Sequence, residues 1–363
     1  MGKVLIALRP RAFMAVVVAG AIVVTVAIVP PAWAGGVTST TVPCNETALE
    51  TAITTANANT AGGTISLTSG CVYSLHDSDN LSTNGELNGL PLITNQVTIN
   101  GNGATIKREA HQAFRIFEIG STGNLVLNHL SVRGGKALVS SWGGGIYVDS
   151  GGVVTLNDVT LSRNEARTSG PYVEAAGGGI YVAPGGSATI MNSEVAFNTS
   201  TSEVMSPVTN GGSGAGGLFN LGTMTVVNSR VQNNTTTCTG YGCFAQGGGI
   251  WNGGTFSLQG GSVDDNDGTM TLTNGSRISA NTAVAPGGTA FGGGLYNDPY
   301  GSTQVGGGSD ITLNTASATG GTASGGGIYN ANSSATAVAL SGSLVVTNQP
   351  DQCAGPGTPI TGC

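Results

Sequence analysis

The sequence predicts an all-β protein, a single-stranded parallel β-helix of three short strands per coil. Three observations carry this. A glycine phrase recurs six times: GGGIYV at 143–148 and 177–182, AGGLFN at 215–220, GGGIWN at 247–252, GGGLYN at 292–297 and GGGIYN at 325–330. Short runs of alternating apolar and polar residues follow it, such as VVTLNDVTLSRN (153–164) and TMTVVNSRVQNN (223–234). No helical stretch separates one unit from the next, so crossover helices are excluded and each unit must stack directly on its neighbour.

Residues 1–34 read as a Sec-type signal peptide cleaved after Ala34. Lys3, Arg9 and Arg11 precede an uncharged stretch from Ala12 to Val29, and Ala32 and Ala34 flank Trp33 in a small-residue cleavage pattern. Left uncleaved, that stretch is long enough to span a bilayer, but Pro30–Pro31 breaks it directly before the cleavage pattern. No second apolar segment of that length follows, which predicts a secreted or cell-surface chain without a membrane span after cleavage. Removal of the segment leaves 9 basic residues against 19 acidic ones and moves the net charge from −7 to −10. An acidic, Lys-poor surface argues against nucleic acid or anionic lipid as a partner. The 61 glycines and 9% charge are foreign to an ordinary helical domain, while regularly placed Val, Ile and Leu argue against disorder.

Six cysteines in an exported chain read as disulfides. They allow 15 pairings, and their closeness in sequence favours Cys44–Cys71, Cys238–Cys243 and Cys353–Cys363.

Aligned on Ile146, Ile180, Leu218, Ile250, Leu295 and Ile328, the phrases are 34, 38, 32, 45 and 33 residues apart. The 45-residue step holds two alternating runs, 255–266 and 269–281, so one repeat reads as having lost its glycine phrase. The β-helix is expected over 93–348, with about 8–10 coils at the usual strand separation. Residues 35–92 form a lead-in and cap, and 349–363 a disulfide tail. Asparagine recurs at two registers, Asn128, Asn157, Asn192, Asn228 and Asn274, then Asn164, Asn198, Asn234, Asn281, Asn314 and Asn348. At corners it tolerates left-handed backbone and offers an amide for stacking from coil to coil. The glycines are expected where the chain turns into a strand and coils approach closely. The aliphatic of each phrase faces the core, so the aromatic behind it faces away.

The glycine-aliphatic phrase paired with a terminal x-x-N resembles the repeat of polymorphic outer-membrane proteins, within the right-handed parallel β-helix (pectin-lyase-like) superfamily. The resemblance covers roughly 93–348. QVTINGNGATIKR (96–108) and FRIFEIGSTGNLVLNHLSVRGG (114–135) are similar to the opening coils of secreted bacterial β-helix proteins. Residues 45–75 look like their N-terminal cap, which implies a short amphipathic helix from Glu46 to Asn59 over the open core. The chain departs from the C-S-L-R-E-A form of that cap, and only AFN (196–198) carries Phe near the x-x-N asparagine.

Three groups of residues are candidates for chemistry. Enzymes on this fold use clustered carboxylates, and the only acidic cluster is Asp264, Asp265 and Asp267. Consecutive strand residues alternate faces, so these three cannot converge on a cation, and a solvated turn is the reading. The phrases N-T-D, G-H-G and R-I-K of polygalacturonases are absent. The sequence thus implies no metal and no cofactor. A second group gathers His76, Lys107, Arg108, His111, Arg115, His129, Arg133 and Lys136 with Glu109 and Glu118 between 76 and 136. Such a set either binds a uronate and abstracts its α-proton, or solvates the first coil of a solenoid. Lys107, Arg108, His111, Arg115, His129 and Arg133 are its catalytic candidates. The third group is the aromatic column Tyr147, Tyr181, Phe219, Trp251, Tyr296 and Tyr329. Its rings either stack on sugars as an open ligand platform or lie under the loops 165–176, 199–214, 235–246, 282–291 and 315–324 as satellite cores.

The function these readings favour is a non-catalytic scaffold for adhesion or for contact with a polysaccharide or cell-surface glycan. The alternative is a polysaccharide lyase or glycoside hydrolase acting on an acidic polysaccharide at the opening coils. A purely structural cell-wall spacer is the third.

Overall fold

The computed structural model describes residues 41–170, 174–205, 211–254, 267–357 and 359–363. The leader (1–34), Asp264 and Asp265 lie outside them, while Asp267 is exposed. The chain winds as a parallel β-helix with three faces. Strands Gln96–Arg108, Asn124–Arg133 and Val153–Ser162 each run from the first face round a corner onto the second. In later coils the same stretch is two strands, as in Ser187–Met191 and Glu194–Ala196. The third face is the glycine phrase itself, an eight-stranded sheet from Phe117–Ile119 to Cys353–Ala354. Ile146, Ile180, Leu218, Ile250, Leu295 and Ile328 pair in one unbroken register. All six are fully buried, in a core shared with Val154, Leu156, Ile190 and Leu161.

Both ends of this core are closed by a disulfide-tied segment. Helix Glu46–Ala58, capped by Asn45 accepting from the Ala48 N–H, lays Leu49, Ile53 and Ala56 over the first coil. Cys44–Cys71 ties it down, with Cα atoms 5.8 Å apart. At the other end the tail pairs Cys353–Ala354 onto the last glycine phrase and plugs the core with Ile360. Cys353–Cys363 closes that loop across 6.1 Å. The third expected bridge is not formed. Cys238 and Cys243 are free, buried thiols, and their mutual contact, then burial, pushes the Cys238 thiol up while the same contact draws the Cys243 thiol down. Among the described residues no helix is long and apolar enough to cross a membrane.

Two further expectations need correction. The first-face strand Thr223–Val227 pairs directly with Thr269–Thr273, so no additional coil separates these two strands; the run 255–266 itself lies outside the described residues. The terminal asparagines are also not the left-handed residues of their corner. That conformation falls on the residue before each: Arg163, Phe197, Asn233, Ala280, Leu313 and Thr347 have φ between 54° and 61°. The twist turns each asparagine inward instead. Asn164, Asn198, Asn234, Asn281, Asn314 and Asn348 are buried, each donating from Nδ2 to the next Oδ1 at 2.9–3.0 Å, and Gln352 ends the series. At the other register Asn192, Asn228 and Asn274 take positive φ as expected, while at Asn128 and Asn157 it falls on the following residue, His129 and Asp158.

The three glycines of the phrase now have three separate causes, seen at 177–179. Gly177 sits at φ +64°, where a side chain is strained. A Cβ on Gly178 would lie 2.2 Å from the Thr199 carbonyl oxygen across the corner. One on Gly179 would lie 2.7 Å from the Gly217 carbonyl oxygen of the next coil and 3.2 Å from the Asn198 amide. The phrase and the x-x-N are thus one packing unit.

The variable loops form strands of their own. Between the second and third faces the chain adds two parallel sheets, of six and five strands. One holds Glu165–Gly170, Thr199–Val204 and Thr235–Thr239; the other Glu174–Ala176, Gly212–Gly214 and Phe244–Gln246. The middle coils therefore carry five strands rather than three. The two sheets face each other across small side chains. Ser200 and Ser213 hydroxyls meet at 2.7 Å, and Ala245, Ala283, Ala290, Cys238 and Cys243 fill the gap. Thr-x-Thr and Thr-Ala-x segments favour a pleated backbone, and their small inward residues let the layers close. The result is a thin fin along the helix.

Candidate functional site

The aromatic column is stacked residue on residue. Neighbouring ring centroids from Tyr147 to Tyr329 are 5.3, 5.1, 4.2, 6.0 and 5.7 Å apart, and no pair departs from parallel by more than 15°. Trp142 adds a ring against Tyr181 and Phe291 one against Tyr329. Tyr147, Tyr181, Phe219, Trp251 and Tyr296 are buried, packed with Ala176 and Ala215 where the fin meets the third face and with Ala183 and Leu221 just past its strands. Only Tyr329, last in line, is half-buried. Burial pushes the Tyr147 phenol up to about 12 and raises those of Tyr181 and Tyr296 in the same direction. Rings that spend both faces on each other have none left for a sugar, so these five form a satellite core.

The basic residues between 76 and 136 are dispersed rather than assembled. Arg115 is fully buried, its guanidinium 4.6 Å over the Tyr147 ring, where it caps the aromatic column. It faces Glu118 at 3.6 Å and donates to Trp142 O and Ser140 Oγ. Burial lowers its pKa, opposed by Glu118 and Glu86. Arg108 donates to the Gly134, Ala110 and Gln112 carbonyls and so braces a turn. Lys107 pairs with Glu109 at 2.7 Å, and Lys136 with Glu165. His129 stands at an exposed corner with φ 52°, against Asp158. His76 meets Glu46 of the cap, while His111 and Arg133 are exposed. Arg133 registers with Lys107 on the second face, the one place where two of the candidates meet.

What the structure does assemble lies on the outer side of that second face. An open groove of ≈ 440 Å³ runs across the corner, lined by Asp158, Thr160, Asn192, Glu194, Asn228, Arg230 and Arg277. Glu194, Arg230, Arg277 and Asp310 stand in register on four successive coils. The carboxylates are engaged: Glu194 accepts from Gln232, Asp158 meets His129, and Asp310 holds Arg277 at 3.4 Å. Arg230 is exposed, and its guanidinium makes no hydrogen bond or ion pair among the described residues. Sequence reasoning passed over this pair, although NSR (228–230) and NGSR (274–277) place an arginine just beyond the corner asparagine in two consecutive runs. Among the described residues no cluster of three or more His, Cys, Asp or Glu side chains could hold a metal ion. Comparison with protein-family models, with curated proteins and with solved structures gives no match.

Proposed function

We propose that the protein is an extracytoplasmic, non-catalytic scaffold that holds an acidic polysaccharide along its second face. The observation that carries this is the registered pair Arg230 and Arg277 above an open polar groove, with the Arg230 guanidinium unpaired among the described residues. Like charges directly opposite on neighbouring strands destabilise a sheet, and an anion shared between them removes that cost. Successive coils repeat at about 4.8 Å, so a polymer carrying a carboxylate or sulfate on each unit meets the pair while its hydroxyls face Asn192, Asn228 and Thr160. Two disulfides support a location outside the reducing cytoplasm. Catalysis at the opening coils has less support, because Arg115 is sealed away, Arg108 is spent on carbonyls and His129 sits at a different corner.

The test is affinity electrophoresis of the protein in gels containing uronic-acid, sulfated and neutral polysaccharides, with parallel assays for unsaturated and reducing-end products. Retardation by the acidic polymers alone, weakened by salt, is expected. Arg230→Ala should lower affinity about tenfold or more, since a charge-assisted hydrogen bond contributes about 1.5–3 kcal/mol. Soluble products would show an enzyme, and equal retention of Arg230→Ala would remove the groove from the account.

A further inference from the structure

The first face differs from the second in chemistry. Its open strands read NLVLN, VVTLN, SATIM, TMTVV, TMTLT and STQV, and not one residue is charged. Thr155, Thr189, Thr225 and Thr271 stand in register on four successive coils, and Thr223 and Thr269 stand two residues before the last two. The hydroxyls of Thr155, Thr189, Thr223, Thr225 and Thr271 make no hydrogen bond among the described residues; Thr269 only reaches Asp267 O at 3.5 Å. Beneath them Val154, Leu156, Ile190, Met224, Val226, Met270 and Leu272 are packed without exposure. The register of these strands is unbroken from coil to coil, which keeps the threonine column aligned along the stack.

The outcome is a file of four threonines, each pairing a methyl with an unspent hydroxyl, flanked by Thr223 and Thr269 on the last two coils. It repeats at about 4.8 Å between coils and about 6.7 Å between alternate residues of a strand. Both repeats approach those of water oxygens on a prism plane of hexagonal ice. We propose that the first face binds ice. Methyl groups exclude disordered water from the face, while the free hydroxyls take lattice positions in the water layer that remains. The absence of charge fits a neutral crystal and disfavours a charged polymer. The absence of an outward aromatic leaves nothing to stack on a sugar ring. The inference is independent of the groove, which lies on another face.

The experiment is slow freezing of the disulfide-intact protein on a cold finger, with the protein in ice and liquid compared, alongside ice-recrystallisation assays. Enrichment in the ice is expected, and Thr225→Lys or Thr189→Lys should abolish it, because each sets a charged chain at the middle of the array. Both positions point outward, so melting and circular dichroism should be unchanged. Thr312→Lys, the same change on the second face, should leave enrichment intact. The proposal is overturned if the protein stays in the liquid, or if Thr225→Lys partitions as the parent does. It is overturned equally if the parent chain forms a dimer that Thr225→Lys dissolves, or is held by crystalline cellulose or chitin through this face.

Discussion

Replacing Asn234 by alanine tests the central packing unit of the fold. Its Nδ2 donates to Asn281 Oδ1 at 3.0 Å and to Val195 O at 2.9 Å. Its Oδ1 accepts from both the backbone N–H and the Nδ2 of Asn198, at 2.9 and 3.0 Å. Alanine leaves the Asn198 backbone N–H orphaned in a dry corner, at a cost of about 1–3 kcal/mol. The Asn198 amide, Asn281 Oδ1 and Val195 O each lose one partner, at about 0.5–1 kcal/mol apiece. The sum is about 2.5–6 kcal/mol. Asn157→Ala is the control: it belongs to the outer ladder and lacks positive φ, its Nδ2 meeting Asn128 Oδ1 at 3.4 Å and its Oδ1 accepting from Asn192 at 3.3 Å. Water replaces both contacts there, and the cost should stay below about 1 kcal/mol. Urea unfolding followed by circular dichroism measures both, and hydrogen exchange should lose protection first in the coils beside residue 234, since each coil rests on its neighbours. If Asn234→Ala costs no more than Asn157→Ala, the inner ladder is not what locks coil to coil.

Two further outcomes follow from the aromatic column. Trp251→Ala should lower stability by about 3–5 kcal/mol, because a buried ring stacked between Phe219 at 4.2 Å and Tyr296 at 6.0 Å is emptied. Retention on acidic polysaccharide should not change; weakened retention with unchanged melting would instead expose the rings as a binding platform. Alkaline pH should also unfold the protein. The Tyr147 phenol is held near 12 against an ordinary value near 10, so its stabilisation is complete below pH about 10 and is lost as pH rises through about 12, some 2–3 kcal/mol in all. Tyr181 and Tyr296, raised by burial as well, add to this in the same direction. A phenolate absorbance step near pH 10 that replacing Tyr147, Tyr181 and Tyr296 together by Phe removes, with the fold intact, would contradict the burial of these rings.

Much of this architecture is legible in the one-dimensional pattern, because a solenoid repeats one local problem. The period sets the coil, the alternation sets which side chains face the core, and Ile146, Ile180 and Leu218 pair in the register their spacing implies. The end-capping helix and the two local disulfides are local features too, settled within 27 residues of chain. What the pattern cannot carry is any property that depends on two segments meeting across a corner. The left-handed residue falls one place before each inner asparagine because the corner must turn that amide inward, a choice visible only once coils stack. The loops become a fin because Ser200 meets Ser213 and Ala245 meets its neighbours across a gap that no single segment specifies. The fin, in turn, decides that the aromatic column is buried, although every ring of it points away from the main core. For the same reason the charged opening coils looked like a cluster in sequence and are not one in space. Lys107 and Arg133 share a face, Arg115 caps the ring stack, and His129 takes a corner, since a coil spreads neighbouring residues round its perimeter. Arg230 and Arg277, 47 residues apart, were placed side by side only by the register of the stack.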